Sequence, residues 1–416
     1  MNADMRAVNA MLTMESAQAE LLVNARTVFE TTSCHLAHGD GRVLAVNVDS
    51  PIDVPGFDNS AMDGYALNLP AQSASSSGVF RVVQRIAAGH VGDPLLPGFA
   101  ARIFTGAPIP PGANVVIPQE DVELSGDTVR LHVPFYAGQH IRHRGEDTKK
   151  GQKVLAQGTL LQARHLALAA SIGVSQLVVY RRLRVGIFFT GDELIEPGEQ
   201  LPDGAIYNSN RYAIGSLIRR LGCELTDYGV VKDDPNATLD LLDKACTQND
   251  VVVTSGGVSV GEEDHVKAAV MTLGQLDLWQ VAIKPGKPVA FGRIGQADFI
   301  GLPGNPVAAF VTFFLLAAPF IKRRQGIRHC LPTKFEALSD FAWNAKGRKR
   351  EFVRVREQIG TDMRLTLALS SSNQGAGAMS SIALADGLVD VGPSSQIAPG
   401  DPVVYYPMNG LMGAGF

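Results

Sequence analysis

The stretch Asp250-Val-Val-Val-Thr-Ser-Gly-Gly-Val-Ser-Val-Gly261, running on into Glu262, Glu263 and Asp264, decides how the chain is read. Three successive valines between polar residues predict a strand buried on both faces. The glycines and hydroxyls beyond it predict a tight turn feeding a helix over 264–273, ended by Gly274. Such a junction seats an anion. Glycine lets backbone N–H groups approach, the hydroxyls of Thr254, Ser255 and Ser259 add donors, and the helix N-terminus adds positive potential. It is no P-loop, because acids follow Gly261 where Lys and Ser/Thr belong, and it is not G-x-G-x-x-G. A purely structural tight turn is the bland alternative; ligand binding at the ends of parallel strands favours function. Gly257-Val-Ser-Val-Gly261 also has the form of a nucleophile elbow on Ser259. Only His265 and His329 follow, one on the same helix and one past the α/β segment, so a hydrolase is the weaker reading.

Outward from this strand, strand and helix alternate. Strands are expected at 183–190, 225–232, 279–283, 289–292 and 299–302, and helices at 210–221, 238–246 and from Pro306, with Asn305 as N-cap. That rhythm predicts an α/β domain with a parallel sheet over 181–328. Residues 51–139 read as an inserted β-rich domain punctuated by prolines. Residues 1–50 and 140–180 read as the two halves of a helical linker and dimerisation domain whose helices pack together. Residues 329–416 lose the helical period and read as a small C-terminal β-domain.

Composition excludes other classes. The 416 residues are 45% hydrophobic and 19% charged, enough for several cores and unlike a disordered chain. With 37 Lys+Arg against 41 Asp+Glu, the net charge is −4, which argues against duplex nucleic acid as a partner. The apolar run at 307–321 is shorter than the ~20 residues that span a bilayer, so it reads as a buried helix, with no membrane partner expected. The start of the chain does not read as a signal peptide. Four scattered cysteines without C-x-x-C make a disulfide framework or zinc site improbable and suit the cytoplasm; Cys34-His35 with His38 lacks a second half.

Chemistry gathers at the expected strand ends. Ile300-Gly-Leu-Pro-Gly-Asn-Pro306 is a second strand–turn–helix junction, with Pro303, Gly304 and Asn305 as an anion seat. Between the two junctions lies Ile283-Lys-Pro-Gly-Lys-Pro288, whose Lys284 and Lys287, held by Pro285 and Gly286, read as anion clamps or as a solvated basic turn. Thr190-Gly-Asp-Glu-Leu194, Asp233-Asp234-Pro235 and Glu262–Asp264 put carboxylates on the same rim, which suits Mg²⁺ bridging phosphate oxygens. Asp234 and Asp264 could each simply cap a helix.

Phe57-Asp-Asn-Ser-Ala-Met-Asp-Gly-Tyr65, preceded by Asp53-Val-Pro-Gly56, resembles the signature of the molybdopterin molybdenumtransferases, the MoeA and gephyrin E-domain family. So do Thr105-Gly-Ala-Pro-Ile-Pro110, Arg144-Gly-Glu-Asp147, Thr190–Leu194, Ser255–Gly261, Lys284–Pro288 and Leu302–Pro306. They come in family order and cover nearly the whole chain. The resemblance implies an elongated cytoplasmic homodimer with four domains: the discontinuous helical linker, the inserted β-domain, a molybdopterin-binding-type α/β domain and a C-terminal β-barrel.

It also implies a reaction: insertion of molybdate into adenylylated molybdopterin, with Mg²⁺-dependent cleavage of the phosphoanhydride and release of AMP. Asp58, Glu193, Asp233, Asp264, Lys284 and Lys287 would be the catalytic group, with Asp233, Asp264 and Glu193 holding the metal. Thr105, Thr190, Gly191 and Asp192 would contact substrate, as would the loop residues Ser255, Gly256, Gly257, Ser259 and Gly261. Pro285, Gly286, Pro303, Gly304 and Asn305 would extend the same seat. Lys284, Arg350 and Ser381 would hold the molybdate dianion. Asp58 would reach the other subunit's α/β domain, although by itself its segment reads as a surface loop. An upstream molybdopterin adenylyltransferase is the implied supplier of substrate. Two positions depart from the pattern: Gln280 stands where relatives often carry Lys, and His140 replaces a frequent Asn. The competing class is a gephyrin-like scaffold that binds partner peptides without turnover; its mark, an extra N-terminal domain and long linker, is not expected in this chain.

Overall fold

The computed structural model describes residues 11–69, 78–132, 134–257, 265–286, 288–360 and 364–408. At its centre is a six-stranded sheet in the order Glu224–Val231, Arg184–Thr190, Val251–Ser255, Ala297–Leu302, Val289–Ile294, Gln275–Trp279. The first four strands are parallel, as the alternation predicts. The last two pairings are antiparallel: Gly295-Gln296 joins Val289–Ile294 to Ala297–Leu302 as a two-residue hairpin that leaves no room for a crossover helix, and Gln275–Trp279 pairs antiparallel with Val289–Ile294. The strand expected at 279–283 ends instead at Trp279. Ile283–Lys284 leaves this sheet and pairs in parallel with Arg350–Ile359 of the C-terminal domain.

Both faces of the sheet are covered. Val252, Phe188 and Phe299 pack under Leu242, Ala245 and Val270 of two helices. Val251, Val253 and Ile300 pack under helix Ser209–Arg220 and the long helix from Pro306 to Arg324. That last helix is 78% buried within the protein, the condition of a core helix. Pro319 lacks an N–H and crowds the carbonyl four residues back, and the turn before it, Phe313–Ala317, widens into π-helical form.

The opening helix, Met14–Asn24, was expected to pair with the second linker helix. Its Met14, Ala17 and Leu21 instead join the α/β core, and Leu12 bonds to the backbone of Gln280 and Ala282. The second linker helix, Ala163–Ser171, packs in a separate cluster with the antiparallel pair Thr31–His35 and Gln176–Tyr180. The inserted segment forms a six-stranded mixed sheet centred on Gly64–Leu67, Phe99–Ile103 and Gly78–Ile86. In the C-terminal domain, Arg350–Ile359, Leu365–Leu369, Phe335–Ser339, Pro402–Pro407 and Gly387–Val391 close on themselves through a pairing between the first and last, giving a five-stranded barrel.

Candidate active site

Register aligns Phe189 with Ser255 and Ser255 with Leu302, so three strands end at one level. The loops leaving them surround a cleft of about 320 Å³. Thr190, Glu193, Ser255, Gly256, Gly304 and Asn305 line it, with Asn208 and Asn210 from the start of helix Ser209–Arg220.

The two glycine turns are tied together inside this cleft. Asn210 Nδ2 donates to Ser255 Oγ at 2.8 Å and to the Gly304 carbonyl at 2.7 Å. Ser255 Oγ donates in turn to the Pro303 carbonyl at 2.8 Å. Its proton is therefore committed to the second loop rather than offered to a ligand, which corrects the expectation for this hydroxyl. Gly256 and Gly257 have φ of +96° and +63°. A Cβ on Gly257 would sit 2.6 Å from Val266 Cγ2 and 2.8 Å from Thr190 Oγ1, so only glycine fits. Asn305 holds the N-cap position with no cap bond from its side chain, which leaves its amide for the cleft. Gly286 turns against Ile283 and Thr312, with Pro285 before it. Ser259, Gly261, Asp264 and Lys287 lie outside the described residues.

Among the carboxylates, Asp234 is a helix cap, accepting the Ala237 N–H at 2.7 Å. Glu193 lines the cleft with its carboxylate folded over Gly191. Asp192 Oδ1 accepts the Asp233 N–H at 3.4 Å, so the first and second strand ends meet through Asp192. Among the described residues no group of three or more His, Cys, Asp or Glu converges. Mg²⁺ is commonly held by only one or two carboxylates, with substrate oxygens and water completing its shell. Asp192, whose carboxylate meets the Asp233 backbone, brings one such oxygen donor to the strand ends.

Lys284 Nζ lies 2.9 Å from Glu351 Oε1, a buried carboxylate that also accepts from Trp343 Nε1 at 3.0 Å. The lysine's side chain remains 58% exposed. Arg350 differs from its expected role. Its guanidinium is bonded to both Asp390 and Glu15, and these two partners raise its pKa despite burial. It lines a different recess, between the barrel and the opening helix. Ser381 is also corrected: its hydroxyl is fully buried, accepting from Arg354 Nε and donating to the Ala378 carbonyl.

Arg354, overlooked in the sequence, is the buried cation of the barrel. It has no carboxylate partner among the described residues. It donates to the Phe352 and Gly375 carbonyls at 3.1 and 3.3 Å, and burial pushes its guanidinium down to about 10. Gly375 belongs to a loop whose Ala376 carbonyl accepts the Val307 N–H at 2.9 Å. The barrel thus braces the helix that begins at the cleft. Asn208 and Asn210 were missed too; Asn-Ser-Asn just ahead of an apolar helix signals a helix start but not the loops that it meets.

The Asp53–Tyr65 segment is a surface loop only in part: residues 56–58 and 62–63 are exposed, but the residues between them are not. Asn59–Ser60 is buried and pairs with Ile141–Arg142. Asp58 accepts the Arg144 N–H at 2.7 Å and faces His143 at 3.3 Å, and the Arg144 N–H holds its carboxyl below the usual range. Asp63 accepts from both the N–H and the hydroxyl of Thr105, each at 2.8 Å, so that hydroxyl is already committed. The side-chain bonds of Asp53, Asp58 and Asp63 stay within this domain and the 141–150 segment.

Comparison with known proteins agrees with this layout. Residues 12–173 match the family described as MoeA N-terminal region (domain I and II), 186–323 the "Probable molybdopterin binding domain", and 336–408 the MoeA C-terminal region (domain IV). A Haemophilus influenzae protein named molybdopterin molybdenumtransferase is 42% identical over 332 residues, covering 79% of this chain and 82% of its own. A Nostoc protein of the same name is 37% identical over 306 residues, covering 72% and 70%. The crystal structure of the MoeA protein from Pyrococcus horikoshii OT3 superposes with a TM-score of 0.81 at 27% identity, over 96% of this chain and 100% of that one. A chain with these matches in this order, and with its cleft at the strand ends of the middle region, belongs to the molybdopterin molybdenumtransferase family, the transferases of molybdenum cofactor biosynthesis.

Proposed function

We propose that this enzyme inserts molybdate into adenylylated molybdopterin and couples insertion to cleavage of the phosphoanhydride, with release of AMP. The observation that carries this reading is the Asn210 bridge, which makes one anion seat from two strand-end turns in a cleft that Glu193 also lines.

In this reading the backbone at Gly256–Gly257 and the Asn305 amide bind phosphate oxygens, and Thr190 orients them. Asp233, Glu193 and Asp264 would hold Mg²⁺, with Asp192 against the Asp233 backbone. The ion, when bound, neutralises charge on the anhydride oxygens and so favours departure of AMP. Water adds to phosphorus as the anhydride P–O bond breaks, and that hydrolysis draws metal insertion forward. Lys284 has three donors; one serves Glu351, and the others are free to hold the incoming molybdate dianion, with Lys287 in support. The Asp58 cluster serves the cleft of a second subunit in a homodimer. An upstream adenylyltransferase supplies the substrate, and the cytoplasm is where both reactions belong. The test is molybdate-dependent AMP release by the purified protein.

A further inference from the structure

The helix that opens at the cleft with Pro306 runs for 19 residues and closes at Arg324. At a rise of ~1.5 Å per residue its ends lie roughly 28 Å apart. Its far end forms one wall of a second recess, of about 400 Å³, between the α/β domain and the two-segment domain. The side chains around it are one-sided in charge. Arg164 and His165 come from helix Ala163–Ser171, Lys322 from the long helix, and Arg328 and His329 from the segment after it. Among the described residues no carboxylate lines this recess; the small adjoining one adds Arg220 and a single acid, Asp40.

Three details show a built site. Gly158, at φ +80°, stands where a Cβ would lie 2.7 Å from Arg328 Cγ, so the arginine's stem is held close against the backbone. Gln162 and His165 form a capping box, in which His165 Nδ1 accepts the Gln162 N–H at 3.1 Å. Arg164 Nε lies 3.3 Å from the other ring nitrogen, Nε2, and burial and the Arg164 charge together push the His165 pKa down. The ring is thus anchored at the helix start beside an exposed guanidinium, which has further N–H groups to donate to an anion in the recess. The N-terminus of the same helix adds its dipole.

We infer that this recess is a second anion site, separate from the cleft, for a small phosphate-bearing molecule. Its volume suits a ligand of nucleotide size or smaller. The experiment is calorimetric titration of the full-length protein with inorganic pyrophosphate and, in parallel, with AMP at fixed ionic strength. Three proteins are compared: wild type, R164Q/R328Q and N210A. Arg164 and Arg328 are exposed, so the double variant should fold, and circular dichroism checks it. In wild type, the ¹⁵N signals of the His165 ring should shift on saturation with pyrophosphate. We expect R164Q/R328Q to lose at least tenfold in affinity for one class of sites, with N210A keeping that class. Tighter binding of AMP than of pyrophosphate at that site would mark a nucleotide as the source of the phosphate; the reverse would mark a free phosphate. Wild-type isotherms in R164Q/R328Q, or unmoved His165 signals at saturation, would overturn the assignment while leaving the proposed reaction at the cleft untouched.

Discussion

Asn210 Nδ2 spends both of its protons on the glycine turns, one on Ser255 Oγ and the other on the Gly304 carbonyl. A residue in the first turn of a helix thereby fixes the spacing of two loops from different strands. Asn210→Ala should lower the rate of AMP release by about 10- to 100-fold, since small misplacement of a positioned substrate is costly. The fold should lose only about 1–2 kcal/mol. Steady-state kinetics alongside urea denaturation checks both.

Much of this was legible in the sequence. The Val-Val-Val run and its glycine turn located the central strand, and the strand–helix rhythm located the cleft. Asn210 was not legible, because nothing in Asn-Ser-Asn reveals which loops will lie opposite a helix start. The Arg350 and Ser381 assignments failed for a related reason. Arg350 and Arg354, four apart on one strand, share a face, so what separates them is the partner that each meets rather than facing or residue type. Asp390 and Glu15, which neutralise Arg350, are far from it in the chain. The opening helix misled because apolar residues show that a helix is buried but not against what.

Asp58 should act on the cleft of the partner subunit. Asp58→Asn and Asn210→Ala proteins, each strongly impaired alone, should rise to about a quarter of wild-type activity when mixed, unfolded and refolded together, because half of the randomly paired dimers contain one intact site. AMP release by the mixture is the readout; no recovery would place Asp58 in its own subunit's site or outside the chemistry.

Lys284 sits between a buried carboxylate and solvent. Lys284→Ala should raise the molybdate concentration for half-maximal AMP release by about tenfold, a loss of ~1.4 kcal/mol of charge-assisted bonding. Gln280→Lys should shift it the other way by adding charge. Unchanged molybdate dependence in Lys284→Ala would leave the lysine as a tie to Glu351 alone.

Asp250 starts the central strand and accepts from Arg181 at 2.6 and 2.8 Å. Burial raises its pKa, but the bonds from Arg181 and the Arg184 N–H outweigh burial and hold it at about 2. Because the folded value is the lower one, this carboxylate stabilises the protein fully above its unfolded pKa of ~3.9 and ceases to as pH falls toward 2. The contribution is on the order of 1–2 kcal/mol, discounted for the partial exposure of both arginines. Thermal melts from pH 6 to 2 should show Asp250→Asn less stable than wild type at pH 6, with the gap closing below pH 4.

The central claim is that metal insertion and anhydride cleavage are one coupled event at the cleft. The direct measurement is a single-turnover assay with adenylylated molybdopterin that follows AMP and protein-bound molybdenum together, with and without Mg²⁺ and molybdate. The account predicts AMP and inserted molybdenum appearing in equal amounts, and only when both Mg²⁺ and molybdate are present. Molybdenum insertion without AMP release, or AMP release indifferent to molybdate, would contradict it.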